Sequence, residues 1–150
     1  MAKKPKVIKY DGSNTNEMDE KLNKGFDGIV LFHHPQCIHC VMLRPKWEMV
    51  KKKLHNGGEI MEVNVEALEK SNSPLRHKVK GYPTLAHVKN NDMADQFKEE
   101  RNIENMLRFI NKHINNKTNN LNYSYKINKT GNVKKIKKRK TRKGRKGRKN

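Results

Sequence analysis

The sequence predicts an α/β layer fold over residues 1–116 and a separate basic tail over residues 117–150. Three observations carry that reading. Strand and helix signals alternate through the first 116 residues with turn residues between them, Gly28-Ile29-Val30-Leu31-Phe32-His33 is almost wholly apolar, and the charge is unevenly placed. Of the 35 Lys and Arg in the 150-residue chain, 15 fall in 117–150, where there is no Asp or Glu, which leaves 20 basic against 15 acidic residues in the front part. The net charge of +20 therefore describes a mixture. An ordinary domain is followed by a segment whose like charges and few apolar residues do not offset the entropy of ordering, so the tail is expected to be disordered in isolation.

Taken in order, Val7-Ile8-Lys9-Tyr10 reads as a short strand closed by Asp11-Gly12, and Asn14 to Lys24 as a polar surface helix ending at Gly25. The run Gly28 to His33 lacks the alternation of a half-exposed strand and reads as one buried on both faces. From Cys37 to about Leu54, the residues Val41, Leu43, Trp47, Val50 and Leu54 are spaced to line one side of a helix, with a kink expected at Pro45. Asn56-Gly57-Gly58 ends it, Glu59 to Val65 gives the next strand, and Glu66 to Lys78 gives a helix that Ser73-Pro74 interrupts or restarts. Thr84 to Lys89 and Asp95 to Lys98, around an Asn90-Asn91-Asp92 turn, read as a hairpin. Ile103, Met106, Leu107, Ile110 and Ile114 form the stripe of a final helix. The expected order is β-α-β-α-β-α-β-β-α.

Composition removes several function classes. No run approaches the roughly 18 apolar residues needed to span a bilayer, and the lysines of Met1-Ala2-Lys3-Lys4-Pro5-Lys6 are not followed by the apolar stretch of a signal peptide. A soluble intracellular protein of cytoplasm or nucleus, monomeric, is the expectation. Two cysteines, Cys37 and Cys40, are too few for a disulfide scaffold and point to redox chemistry or half of a metal site. A closed metal site needs a second ligand pair at suitable spacing, and none is present, so neither metal nor cofactor is assigned. His55, His77, His87 and His113 are read as solvated or packed residues.

The informative segment is His34-Pro35-Gln36-Cys37-Ile38-His39-Cys40, because it falls where a buried strand ends and a helix begins. There the unpaired amides and the positive end of the helix dipole favour a thiolate at Cys37. A gap of two residues lets Cys40 reach Cys37 and resolve a mixed disulfide. His39 lies between them, where an imidazole lowers the Cys37 pKa by charge or hydrogen bonding. For scale, moving a thiol from about 8.5 to about 6 raises its ionised fraction at pH 7 from about 3% to roughly 90%, a difference of about 3.4 kcal/mol.

These residues resemble the thioredoxin superfamily, and Cys-Ile-His-Cys is most similar to the Cys-Gly-His-Cys domains of protein disulfide isomerases. The resemblance spans most of residues 7 to 115. Pro45 stands five residues past Cys40, at the place of the family's helix-kinking proline, and Val79-Lys80-Gly81-Tyr82-Pro83-Thr84 resembles its cis-proline loop. The resemblance implies a central mixed β-sheet flanked by helices and a thiol-disulfide oxidoreductase acting on protein thiols and disulfides. It also implies Cys37 as attacking thiol, Cys40 as resolving thiol, His39 as their modulator, and a substrate groove that includes Gln36, Tyr82 and Pro83. Two positions depart from the pattern. Leu31 stands where the family usually has a buried acid, and Gln36 stands where an aromatic residue commonly precedes the first cysteine. His33 or His34 is a candidate to assist proton transfer or docking.

The tail admits its own reading. Lys134 to Lys149, with Gly144 and Gly147 between basic residues, could neutralise phosphates through counterion release, so nucleic acid is a candidate partner and a localising role is expected. The same cluster suits a nuclear address or an anionic membrane surface. The competing function class is a nucleic-acid-binding or virion-packaging protein in which the redox fold serves as scaffold. The Asn and Lys content fits an AT-rich genome such as that of a large DNA virus.

Overall fold

The computed structural model describes residues 4–55, 57–115, 123–127 and 133–137. Strands β1 (Lys6–Tyr10), β2 (Asp27–His33), β3 (Glu59–Asn64), β4 (Thr84–Lys89) and β5 (Asp92–Gln96) form one mixed sheet in the order β1-β3-β2-β4-β5. Helices α1 (Thr15–Asn23), α2 (Ile38–Lys53), α3 (Val65–Glu69) and α4 (Ile103–Asn115) cover it. β2 lies in the middle, parallel to β3 and antiparallel to β4, and Ile29 to Phe32 are all buried. That burial on both faces is why its sequence does not alternate.

Alternate residues of the central strands face opposite cores. Val30, Phe32, Met61 and Val63 pack with Met18, Leu22, Leu68 and Leu75 on the side of α1 and α3. Ile29, Leu31, Ile60 and Leu85 pack with Leu43, Trp47, Val50, Met106 and Ile110 on the side of α2 and α4. Gly28 is demanded by close approach, since a Cβ there would lie 2.5 Å from the Glu59 carbonyl oxygen. On the far side of the sheet from β1, His87 and His113 stack with ring centroids 4.4 Å apart, His87 meeting Asp27 at 2.7 Å and His113 meeting Asp95 at 2.9 Å, so both are packed residues.

Four local expectations are corrected. The buried stripe of α2 is Cys40, Leu43, Trp47 and Val50, continued by Leu54, whereas Val41 is exposed. The spacing of three and four residues that buries Leu43 and Trp47 places residue 40, not 41, toward the sheet. The helix expected over 66–78 with an interruption or restart at Ser73-Pro74 is already over at Glu69, and Pro74 opens a separate 3-10 turn, Pro74–His77, whose Leu75 N–H is met by the Ser73 side chain. β5 begins at Asp92 rather than Asp95, because Asn90 and Asn91 alone make the turn at φ 57 and 58. Such positive φ at both central residues suits a two-residue hairpin and is tolerated by asparagine. Within the tail expected to be wholly disordered, β6 (Tyr123–Ile127) and β7 (Val133–Lys137) pair antiparallel. The period-two placing of Tyr123, Tyr125 and Ile127 supplies a strand pattern that the charge count hid. The remainder of the tail, including residues 138–150, lies outside the described residues.

Candidate active site

β2 delivers the chain at His33, residues 34–37 turn, and α2 starts at Ile38 with Cys37 as its N-cap. The N-cap position places the Cys37 sulfur where the first amides of the helix have no intrahelical acceptor. The Cys40 N–H donates to Cys37 Sγ at 3.3 Å, filling one of them. Cys40 falls on the buried stripe, and the His34 N–H donates to its Sγ at 3.4 Å. Both thiols are free, Cys37 half-buried and Cys40 buried.

Their electrostatics diverge accordingly. Hydrogen bonding from the Cys40 side chain, joined by the Cys40 and His39 backbone amides and the charge of Arg101, holds the Cys37 thiol below its usual range against a smaller effect of burial. Burial first, then the hydrogen bond with Cys37, pushes the Cys40 thiol up to about 11. His39 thus contributes through its backbone N–H, and its side chain is exposed.

The loop before β4 closes the other side. Its Tyr82-Pro83 peptide bond is cis, and the Cys37 thiol donates to the Tyr82 carbonyl at 3.4 Å. Thr84 Oγ1 donates to the Gly81 carbonyl at 2.7 Å, bracing the loop. Pro83 is buried and Tyr82 half-buried, with the His34 ring standing edge-on to Tyr82 at 5.8 Å. Gln36 is exposed on the turn, its N–H donating to His34 Nδ1 at 3.1 Å. The expected site residues thus lie on this turn, the head of α2 or the facing loop, except His33, which ends β2 and lines a cavity of about 400 Å³ behind Cys40.

That cavity contains Glu62, an acid that motif reading missed. Glu62 on β3 pairs across the ladder with Leu31, the position that lacks an acid. Its Oε2 accepts from Trp47 Nε1 at 2.8 Å and from Lys51 Nζ at 2.5 Å, both on α2. Burial acts to raise the Glu62 carboxyl, but these hydrogen bonds and the charges of Lys51 and Lys9 hold it below its ordinary value. The available signal was an acid inside the apolar run Ile60-Met61-Glu62-Val63 of a strand expected to be buried. For Arg101, in the loop before α4, the sequence carries no signal.

Comparison with known proteins agrees with this geometry. The family model described as Thioredoxin matches residues 9–112. The chain is 27% identical over 113 residues to Bloodstream-specific protein 2 of Trypanosoma brucei brucei, covering 73% of this chain and 22% of that protein. It is 28% identical over 104 residues to Protein disulfide-isomerase A4 of Rattus norvegicus, covering 61% of this chain and 16% of the relative. Among solved structures, the J-Trx1 fragment of ERdj5 superposes with a TM-score of 0.59 at 25% identity, over 74% of this chain and 51% of that one. The chain thus spans about a fifth of the length of these full-length relatives. Among the described residues no helix is long and apolar enough to cross a membrane, and no three His, Cys, Asp or Glu side chains are grouped to hold a metal ion.

Proposed function

Because the chain belongs to the thioredoxin family, matched over residues 9–112, we propose that it is a thiol-disulfide oxidoreductase acting on protein disulfides through Cys37 and Cys40. The observation that carries the reading is the asymmetry of the pair: one accessible thiol held low at a helix N-cap, one buried thiol raised to about 11. Cys37 as thiolate attacks one sulfur of a substrate disulfide, forming a mixed disulfide and releasing the other sulfur as a thiolate. Cys40 then attacks Cys37 Sγ, the Cys37-Cys40 bond forms, and the second substrate thiolate leaves. Run backwards, the same steps oxidise a dithiol substrate.

His39 tunes the pair through its amide, and Tyr82, Pro83 and Gln36 border the groove in which the substrate lies. Exposed Ile38 and Met42, at 64% and 63% accessible, sit within two turns of Cys37 and suit apolar polypeptide segments. The basic tail localises the domain to an anionic partner.

Titration of the Cys37-Cys40 couple against reduced and oxidised glutathione tests the reading. A reversible disulfide with a potential of roughly −270 mV marks a reductase, and one of about −180 mV or higher an isomerase or oxidant. Failure to form a reversible disulfide, or undiminished insulin reduction by Cys37→Ser, refutes it.

A further inference from the structure

The resolving thiol poses a chemical problem that the two cysteines do not solve. Cys40 is buried and protonated at neutral pH, so the proton must leave before its sulfur can attack. The cavity of about 400 Å³ behind it is polar on the opposite wall, where His33 on β2 and Glu62 on β3 both face α2. We propose that this cavity is the proton exit of the resolving step, with His33 as the acceptor and Glu62 as the positioning carboxylate that holds the resulting imidazolium. The inference rests on the reading of Cys37 and Cys40 given above.

Three observations choose His33 over its neighbours. His34, the other histidine of the turn, is committed elsewhere, its Nδ1 accepting from the Gln36 N–H and its ring standing against Tyr82. Glu62 is occupied by Trp47 Nε1 and Lys51 Nζ and is held below the ordinary carboxylate range, which makes it a weaker base than an imidazole. His33 is half-buried, and burial, with smaller contributions from Arg44 and Lys9, keeps it neutral at pH 7, while Glu62 acts in the opposite sense and favours its protonation. The remaining titratable groups on the cavity wall are Tyr10 from β1, Asp11 directly after it and Glu48 from α2.

In the step itself the Cys40 S–H bond breaks and its proton passes, through a water molecule in the cavity, to a ring nitrogen of His33. The electron pair left on sulfur forms the bond to Cys37 Sγ, the bond from Cys37 to the substrate sulfur breaks, and the substrate leaves as a thiolate. The imidazolium then returns its proton to solvent. Glu62, already paired with Lys51, keeps its charge throughout.

Reaction of the reduced full-length chain with dithiobis(nitrobenzoate) separates the stages, because Cys37 attack releases one coloured thiolate and Cys40 resolution the second. At pH 7, His33→Ala is expected to slow the second release relative to the first by about a hundredfold. Added imidazole restores the rate, and the difference from the parent vanishes as pH approaches 11, where Cys40 ionises unaided. Glu62→Gln shifts the acid limb of the second release to lower pH, an effect that a merely structural role would not produce. Equal second phases in His33→Ala and parent at every pH overturn the proposal, as does slowing that imidazole does not relieve. A parent chain lacking the first release instead refutes the assignment of Cys37, so the two failures are distinguishable.

Discussion

Selective alkylation of one thiol is the sharpest consequence of placing Cys37 at the N-cap and Cys40 on the buried stripe of α2. At pH 7 a thiol of pKa about 11 is ionised in roughly one molecule in 10⁴. Cys37, held below 9.0, is ionised in more than about one in 10². The ratio of thiolate populations is therefore at least about a hundredfold. The more basic thiolate is intrinsically the better nucleophile by a factor that rises about 10^0.4 to 10^0.5 per unit, which over two units returns about six- to tenfold to Cys40. The net preference for Cys37 remains about tenfold or greater before the burial of Cys40 is counted, and accessibility acts in the same direction. Limiting iodoacetamide applied to the reduced chain between pH 6 and about 9, with the modified cysteine located by peptide mass, reads this ratio directly. Cys37 is expected to carry nearly all the label, at a rate that climbs with pH and levels off below the ordinary thiol range. Equal labelling of Cys37 and Cys40 at pH 7 would refute the reasoning, because neither the N-cap amides nor the burial would then be acting on the sulfurs as argued.

Other consequences concern the frame around the site. Glu62→Ala leaves the Lys51 ammonium and Trp47 Nε1 without their shared acceptor and is expected to destabilise by about 3–5 kcal/mol in urea unfolding, whereas Glu62→Leu with Lys51→Met recovers most of that loss. Stability is expected to fall on acidification in two stages. His33 and His113 are held below their ordinary value of 6.5, so the native state binds fewer protons than the unfolded chain and their contribution, present above about 6.5, is lost as pH falls through the folded values. Glu62, held below 4.5, follows the same sign at lower pH, and urea midpoints that stayed flat from pH 7 to 4 would contradict both assignments. Gly28→Ala sets a Cβ against the Glu59 carbonyl at 2.5 Å and the Phe26 ring at 2.7 Å, and a loss of about 1–3 kcal/mol is expected in the same assay. Deleting residues 133–150 removes 12 of the 15 basic residues of the tail, and a salt-sensitive retention on DNA or heparin that survives the deletion would show that the tail is not the anionic contact.

The sequence by itself determined the order of the front elements, because helix and strand periodicity are local properties. Ile29 to Phe32 could be read as a strand covered on both sides, and Cys37 and Cys40 as a pair at a strand-to-helix junction, without knowledge of any neighbour. The same local patterns failed where two answers differ by one residue or one turn. Val41 and Cys40 compete for the buried face of α2, and a rotation of about 100° decides between them, which only the sheet beneath the helix fixes. The tail misled in the opposite way, since its total charge concealed the alternation in Tyr123–Ile127.

Tertiary structure alone decided the proton-handling side of the site. Leu31 and Glu62 are 31 residues apart in the chain and become ladder partners because the crossover from β2 through α2 returns β3 to the parallel edge of β2. Lys51 and Trp47 reach Glu62 because their places on α2 bring them over that same strand. Arg101 likewise acts on Cys37 from the loop before α4. A motif reports which groups adjoin along the backbone. Burial, charge pairing and the cavity behind Cys40 depend on which strands lie side by side, and that adjacency is settled by packing the whole sheet between two layers of helices.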